Sequence, residues 1–448
     1  MGATEPVSEK DLLALLKRAA AEQHVKAWIV GGYVRDKLLG RPHLNPDVVV
    51  EDGDALALAV RFAALATAPP PVTFERFGTA QVTLPGRLVE FVTARAESYA
   101  SDSRKPDVRR ATLEEDLQRR DFTVNTLLLD LDGRVHDLMG ARKDLEAGVL
   151  RTPGDPSRTF EDDPLRMLRG VRFAAELGFT LAPDLIPAMR RMKARLAPPM
   201  ISAERIADEL RRMLASERPK LALELLDESE LLEVILPEIA ACKGVPQSGY
   251  HTHDVFGHTL LAVQQTPPDL LLRLAALFHD VGKPATAKGD GTFVGHEEVG
   301  AEIAKRALER LRFAQKDVDV VSQLVRLHLR PVFYREDWTD GAVRRLARDA
   351  GPLLHRLMLL ARADIGASSY PYPEKLDELQ ARLDRVMAER PSRLEPLISG
   401  EDVMRIRVIG PGPEVGRLKQ KLEELVIDGE LPPDRQAITD YLSTHPDM

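Results

Sequence analysis

"GGYVRDKLLGRPHLNPDVVVEDGDA" (Gly31–Ala55) decides how the rest of the chain is read. The glycine pair stands between an apolar run, "AWIV", and an amphipathic stretch, "YVRDKLLG". That order predicts a strand, a tight turn and a helix, with backbone amides free to approach an anion at the helix start. After Pro46, "DVVVE" predicts a second strand in which positions 45, 47, 49 and 51 share one face. Taken alone, Asp47 and Glu51 read as acids of an edge strand in solvent rather than as part of a metal site. Asn45 sharpens the question, because it stands two before Asp47, where a two-metal enzyme wants a carboxylate.

Working outward, "AQVTL", "RLVEFVT" and "TVNTLLLD" are further short aliphatic and β-branched runs bounded by Gly, Pro and Asp. With the helical "GDALALAVRFAALA" among them, residues 26 to about 137 predict an α/β or α+β head. After "TPGDP" the periodicity becomes helical and stays so, with proline-rich joints at "LAPPMIS", "QQTPPD", "SSYPYPEK" and "ELPPDR". A chain of 448 residues suggests two to four domains on the usual scale of roughly 100 to 200 residues each.

Composition excludes several classes. No apolar run reaches the roughly 18 residues that span a bilayer, and the acidic start followed by an amphipathic helix is not that of a secretory signal. Pro6 stands where a myristoylation signal needs Ser or Thr. One cysteine, Cys242, excludes a disulfide framework and a cysteine zinc site, fits a reducing cytoplasm, and is expected to be a small buried hydrophobe. A net charge of −8 argues against bulk coating of nucleic acid. The arginine-rich segments "SRKPDVRR", "QRRDF", "RMLRGVRF" and "MRRMKARL" nevertheless lie close together in the first 200 residues, and keep a phosphate-backbone partner in view.

Two segments supply context for the opening strand. Glu90 is an acid inside an apolar strand, costly unless paired or metal-bound. Arg119 and Arg120, beside Asp121, offer forked donors of the kind that hold phosphates. Together "GGYVRDKLLGR", "PDVVVEDGDA", "RFGTAQV", "VEFVTARAESY", "LEEDLQRRDFTVNTL", "DDPLRMLRGVRFAAELGF" and "ISAERIADELRRML" resemble, in order and spacing, the nucleotidyltransferase family of bacterial CCA-adding enzymes and poly(A) polymerases. The resemblance implies an α+β chain: a polymerase-β-like head with a small mixed sheet, then an all-α neck, HD body and tail.

It also implies a mechanism. Two Mg²⁺ ions held by Asp47 and Glu90, with Asn45 in the place of the first acid, would bridge the triphosphate of CTP or ATP and activate a tRNA 3′-hydroxyl. Gly31, Gly32, Arg35, Asp36, Arg119, Arg120, Asp121 and Asn125 would line the nucleotide site. Asp163 and Arg166, three apart and expected on one helix face, would read the base edge as acceptor and donor, with Arg169 in support. A capping acid with an i,i+3 salt bridge is the plainer alternative. The loop that governs the switch from C to A addition would lie in "SDSRKPDVRRATLEE" (Ser101–Glu115).

A second constellation, "HTHDVFGHTLL", "LAALFHDVGKPATA", "VGHEEVG", "LVRLHLRP" and "LLARADIGAS", resembles an HD domain. Imidazoles and carboxylates from His258, His279, Asp280 and Asp364 would converge on a divalent metal, His296 and His328 could extend the set to a second ion, and Lys283 could meet a phosphate. Gly410–Pro413 and the basic helix after it resemble the tail of such enzymes and suit an RNA backbone. The expected division is a head over 1–154, a neck over 155–240, an HD domain over 241–380 and a tail over 381–448. The leading reading is a tRNA 3′-end nucleotidyltransferase adding C, A or both. A poly(A) polymerase, an HD-type phosphohydrolase with an impaired RNA-binding head, and a non-catalytic tRNA-binding protein are the alternatives.

Overall fold

The computed structural model describes residues 7–75, 78–98, 107–247, 249–288, 292–389 and 397–446. Residues 101–106 of the stretch expected to carry the C-to-A loop lie outside them. The chain forms two compact units, Met1–Ile235 and Leu236–Met448.

The first unit is built on a seven-stranded mixed sheet of order β3-β4-β5-β2-β1-β8-β9. Its strands are β1 (Lys26–Val30), β2 (Asp47–Glu51), β3 (Val72–Phe74), β4 (Thr79–Leu84), β5 (Arg87–Thr93), β8 (Leu128–Leu129) and β9 (Val135–His136). Strands β6 (Arg95–Ser98) and β7 (Asp107–Arg110) form a separate hairpin, and β10 (Val149–Leu150) pairs in parallel with β11 (Thr180–Leu181).

The opening strand is not an edge strand. β2 lies between β1, antiparallel to it, and β5, parallel to it. Val48, Val49 and Val50 are all fully buried, because both faces of the sheet are covered. Val49 joins a cluster with Val30, Ala94, Leu113, Leu117 and Leu128. Helix Ala55–Leu65, started by the Asp54 side chain accepting from Leu56 N, brings Phe62 to Phe91 of β5 at 5.3 Å between ring centroids. Only the ends of β2, Asp47 and Glu51, escape burial.

Helices continue this unit: Pro156–Asp162, Leu165–Leu177, Leu185–Met192, Ala203–Ala215, Pro219–Glu228 and the single turn Leu232–Ile235. The second unit carries helices and no strand among its described residues. Helices Val255–Gln265, Leu270–Phe278, His296–Arg310, Gln315–Leu327 and Leu354–Gly366 frame the histidine-rich region. A separate small core of Ile398, Val403, Leu418, Leu422, Val426, Leu431, Ile438 and Leu442 holds the last three helices together. Cys242 is buried, and burial pushes its thiol up to about 12, as suits a packing residue. Among the described residues no helix is long and apolar enough to cross a membrane.

Candidate active site and metal centre

Parallel pairing of β2 with β5 sets Asp47 directly beside Glu90 in register. Gln81, opposite Glu90 on β4, donates from Nε2 to Glu90 Oε2 at 3.2 Å and fixes that carboxylate. Gly31 turns the chain from β1 toward this pair at φ +83°, in the left-handed region. A Cβ there would lie 3.4 Å from both Asp47 Oδ2 and an Arg120 nitrogen, an ordinary contact, so it is the positive φ that calls for glycine. Asp47 keeps an exposed edge, yet protein crowds its other sides. Desolvation first, and then the neighbouring Glu90 charge, raise its pKa to about 6 against the pull of Arg120 and Arg169. Two such acids are a natural cation site, since a divalent ion relieves both their repulsion and their desolvation.

Asn45 does not join them. Its Oδ1 accepts from the backbone N–H of Leu88 at 3.0 Å, so it fastens the start of β5 to the turn before β2. The donor set fits one hard cation through Asp47 and Glu90 and leaves a second short of an acid.

Behind this pair runs a hydrogen-bonded chain of predicted residues. Arg35, buried, grips Asp36 with two bonds of 2.8 and 3.0 Å and donates to Asn125 Oδ1 at 2.8 Å. Asn125 Nδ2 donates to Asp121 Oδ1 at 2.9 Å, and Arg169 Nε donates to Asp121 Oδ2 at 2.8 Å. Burial would raise the Asp121 pKa, but Arg169 and the Asn125 amide overcome it and hold the value at about 2. Asp121 therefore has its oxygens spent inside the protein. Arg119 and Arg120 do form a pair, organised by a residue with no signal of its own in the sequence, the fully buried Asp116, whose two oxygens take one arginine each at 2.6 and 3.1 Å. Phe173 receives the guanidinium groups of Arg35, Arg169 and Arg172 within 5.4 Å of its ring centroid.

Asp163 and Arg166 do not share a helix face as expected. Helix Pro156–Asp162 ends before Asp163, which is extended at φ −145° and ψ 102°, and the next helix begins only at Leu165. Pro164 is the cause, since it disfavours helical backbone in the residue before it. Asp163 Oδ1 accepts from Leu165 N at 3.1 Å and Oδ2 from Arg205 NH2 at 3.0 Å, while Arg166 NH1 donates back to Thr159 O at 3.2 Å.

The second unit gathers all six of its predicted ligands. His258, His279 and Asp364 form one metal-capable group, and Asp280, His296 and His328 another. Asp280 joins them: Oδ2 lies 3.2 Å from His279 Nε2 and 3.7 Å from His258 Nε2, and Oδ1 lies 3.3 Å from His296 Nε2 and 3.8 Å from His328 Nε2. Asp364 Oδ1 is 2.9 Å from His258 Nε2.

Every imidazole is oriented from behind. Nδ1 of His258, His279, His296 and His328 meets the backbone carbonyls of Ala367, Ala276, Phe293 and Val325 at 3.3, 2.7, 2.8 and 2.6 Å. Those carbonyls favour the Nδ1–H tautomer and leave Nε2 lone pairs aimed at the centre, the arrangement of metal-bound histidine. Gly282 allows it, because a Cβ there would come within 2.1 Å of His296 O.

Burial opposes a charge on His279, but Asp280 and Asp364 raise its pKa to about 9, and burial together with the His279 charge pushes His328 down to about 3. Lys283 Nζ sits 2.6 Å from Asp280 Oδ2 and 2.5 Å from Gln247 Oε1. A cavity of about 390 Å³ opens on this centre, walled by Tyr250, Phe333 and Tyr370 and reaching Asp280, Lys283, His296 and Asp364. Those aromatic residues carried no pattern in the sequence, and only the folded loops reveal them.

Comparison with known proteins adds to this geometry. Residues 27–151 match the poly A polymerase head domain, residues 178–243 a probable RNA and SrmB-binding site of polymerase A, and residues 250–366 the HD domain. The A-adding tRNA nucleotidyltransferase of Deinococcus radiodurans is 35% identical over 429 residues, covering 92% of this chain and 94% of its own. The CC-adding tRNA nucleotidyltransferase of Thermus thermophilus is 37% identical over 420 residues, covering 90% of each. Among solved structures, the Bacillus stearothermophilus CCA-adding enzyme in complex with CTP superimposes with a TM-score of 0.70 at 25% identity, over 98% of both chains.

Proposed function

This chain belongs to the bacterial tRNA nucleotidyltransferases that carry an HD domain, and we propose that it adds C, A or both to tRNA 3′ ends from CTP and ATP. The observation that carries the reading is the in-register pair Asp47 and Glu90 at the Gly31 turn, with Arg120 beside it and Arg169 close behind. Divalent metal is required by such a pair, and we assign Mg²⁺, whose chemistry would be to neutralise the triphosphate and lower the pKa of the attacking hydroxyl. Asp47 and Glu90 would hold it. Gly31 and Gly32 let the triphosphate approach the backbone, and Arg120 and Arg119, braced on Asp116, supply cationic donors. Arg35, Asp36, Asn125, Asp121 and Arg169 keep this wall rigid, and Asp163 reads the base edge.

The head, neck, HD body and tail are assigned to 1–154, 155–240, 241–380 and 381–448. The Nε2 convergence in the second unit supports a further reading, that His258, His279, Asp280, His296, His328 and Asp364 would hold divalent transition metal, whose chemistry there would be the hydrolysis of phosphate esters.

One experiment decides the main assignment. The protein is incubated with tRNA lacking its terminal nucleotides, each labelled nucleoside triphosphate in turn, and Mg²⁺, and the 3′ ends are sequenced. Growth by C or A is expected. Absence of growth, both here and after Asn45→Asp, would leave the head as an RNA-binding module and the second unit as the active part.

A further inference from the structure

Gln81, Glu90 and Asp47 stand abreast on β4, β5 and β2, since Gln81 pairs with Glu90 and Glu90 with Asp47. Ala80 and Val82 flank Gln81, and Val89 and Phe91 flank Glu90, all four fully buried on the opposite face. A one-residue slip would bury the polar row, so its register is fixed. The two acids of the row are not treated alike. Asp47 accepts no side-chain hydrogen bond among the described residues, whereas Glu90 gives Oε2 to the half-buried Gln81, whose Nε2 donates at 3.2 Å. A carboxylate only accepts, so the amide nitrogen is the atom that faces Glu90 and the turn of the amide is set. Gln81 is the only side chain that hydrogen-bonds Glu90 among the described residues, and it leaves the acid one oxygen, Oε1, for a cation.

We propose that Gln81 is a positioning residue that sets the metal selectivity of the head, holding Glu90 to one oxygen so that the site takes Mg²⁺ in preference to Ca²⁺. This rests on the assignment of Asp47 and Glu90 as the holders of Mg²⁺. Mg²⁺ is small, demands octahedral geometry and keeps positions for water and substrate phosphates, so a carboxylate that lends one oxygen suits it. Ca²⁺ is larger, takes more ligands and often chelates a carboxylate through both oxygens. Without the Gln81 donor, Glu90 is free to turn and offer both, and the site relaxes toward the larger ion. An amide suits this task because it is neutral. A lysine there would hold Glu90 as firmly but cancel the charge that a cation needs.

The test is equilibrium binding of cations to the full chain without tRNA or nucleotide, so that it does not depend on turnover. Tb³⁺, a hard cation read by its own luminescence, is the probe, and the signal lost in Asp47→Asn defines the head site. Mg²⁺ and Ca²⁺ then displace the probe from that site. Gln81→Met, close in size but without a donor, and Gln81→Leu are expected to shift the ratio of the two displacement constants toward Ca²⁺ by about fivefold or more. The melting temperature in chelator is expected to stay at the wild-type value, which separates this effect from a loosened sheet. Equal weakening of both ions would overturn the proposal and leave Gln81 as a support of β4 and β5. An unchanged ratio would overturn it too, because Glu90 would then lend one oxygen without help. A wild-type signal that Asp47→Asn does not reduce would overturn the metal assignment of the head itself, and the proposal with it.

Discussion

Asn45 stands two residues before Asp47 without joining the Asp47 and Glu90 pair, because its carbonyl oxygen is spent on Leu88 N. An aspartate there can keep that acceptor with one oxygen and offer the other, with a full charge, to a cation shared with Asp47 and Glu90. Asn45→Asp is therefore expected to raise nucleotide addition by tenfold or more, a barrier change of about 1.4 kcal/mol or larger, read as the rate of tRNA extension at saturating Mg²⁺. An unchanged rate would mean that the head works with one cation. Asp121 shows the opposite situation, an acid whose every bond is internal. Its pKa, lowered from 3.8 to about 2, represents roughly 2 kcal/mol of stability. Since the folded value is the depressed one, that stability is present above the unfolded pKa and is lost as pH falls from about 4 toward 2. Asp121→Asn should lower the urea midpoint of the first unit at pH 7 and pH 5 alike, with the gap to wild type narrowing at pH 3.5.

Among the elements, helix Gly400–Arg407 ends unusually: Val408 takes the left-handed cap position at φ 56° and is 90% exposed. A β-branched residue is strained there and gains no burial in exchange. Val408→Gly should stabilise this helix end by roughly 0.5–1 kcal/mol once the greater freedom of unfolded glycine is subtracted, visible as a rise of a few degrees in the calorimetric transition of the second unit. Element-level features were unevenly legible in the sequence. The Gly31 turn and the adjacent His279 and Asp280 could be read because their backbone demands are local, and the side chains they place follow directly. Three successive valines in β2 signalled a strand buried on both faces, yet the alternation template obscured that signal. Pro164 likewise announced a helix break at Asp163. Asp116 beneath two arginines, Gln81 on Glu90, and Arg205 on Asp163 could not be read, since each contact depends on packing or strand register rather than on periodicity.

Across the whole molecule, each unit carries its own core and its own donor chemistry, and the contrast between the two donor sets makes them separable by experiment. Asp47 and Glu90 offer oxygen alone, the preference of Mg²⁺, which binds weakly and exchanges freely. The second unit offers four imidazole nitrogens with two carboxylates, a set that favours Mn²⁺, Fe²⁺, Co²⁺, Ni²⁺ or Zn²⁺ over Mg²⁺. A nitrogen-donor chelator that ignores Mg²⁺ should therefore remove metal from the second unit and abolish phosphate-ester hydrolysis while tRNA extension continues within about twofold. Asp280→Asn should have the same effect without a chelator: bound transition metal falls because the ligand set loses a carboxylate charge, and extension persists because Asp47, Glu90 and the arginines on Asp116 are untouched. Metal analysis and both assays on one preparation check it. Loss of extension in the chelated wild type, restored by added transition metal but not by Mg²⁺, would show instead that nucleotide addition depends on the metal of the second unit.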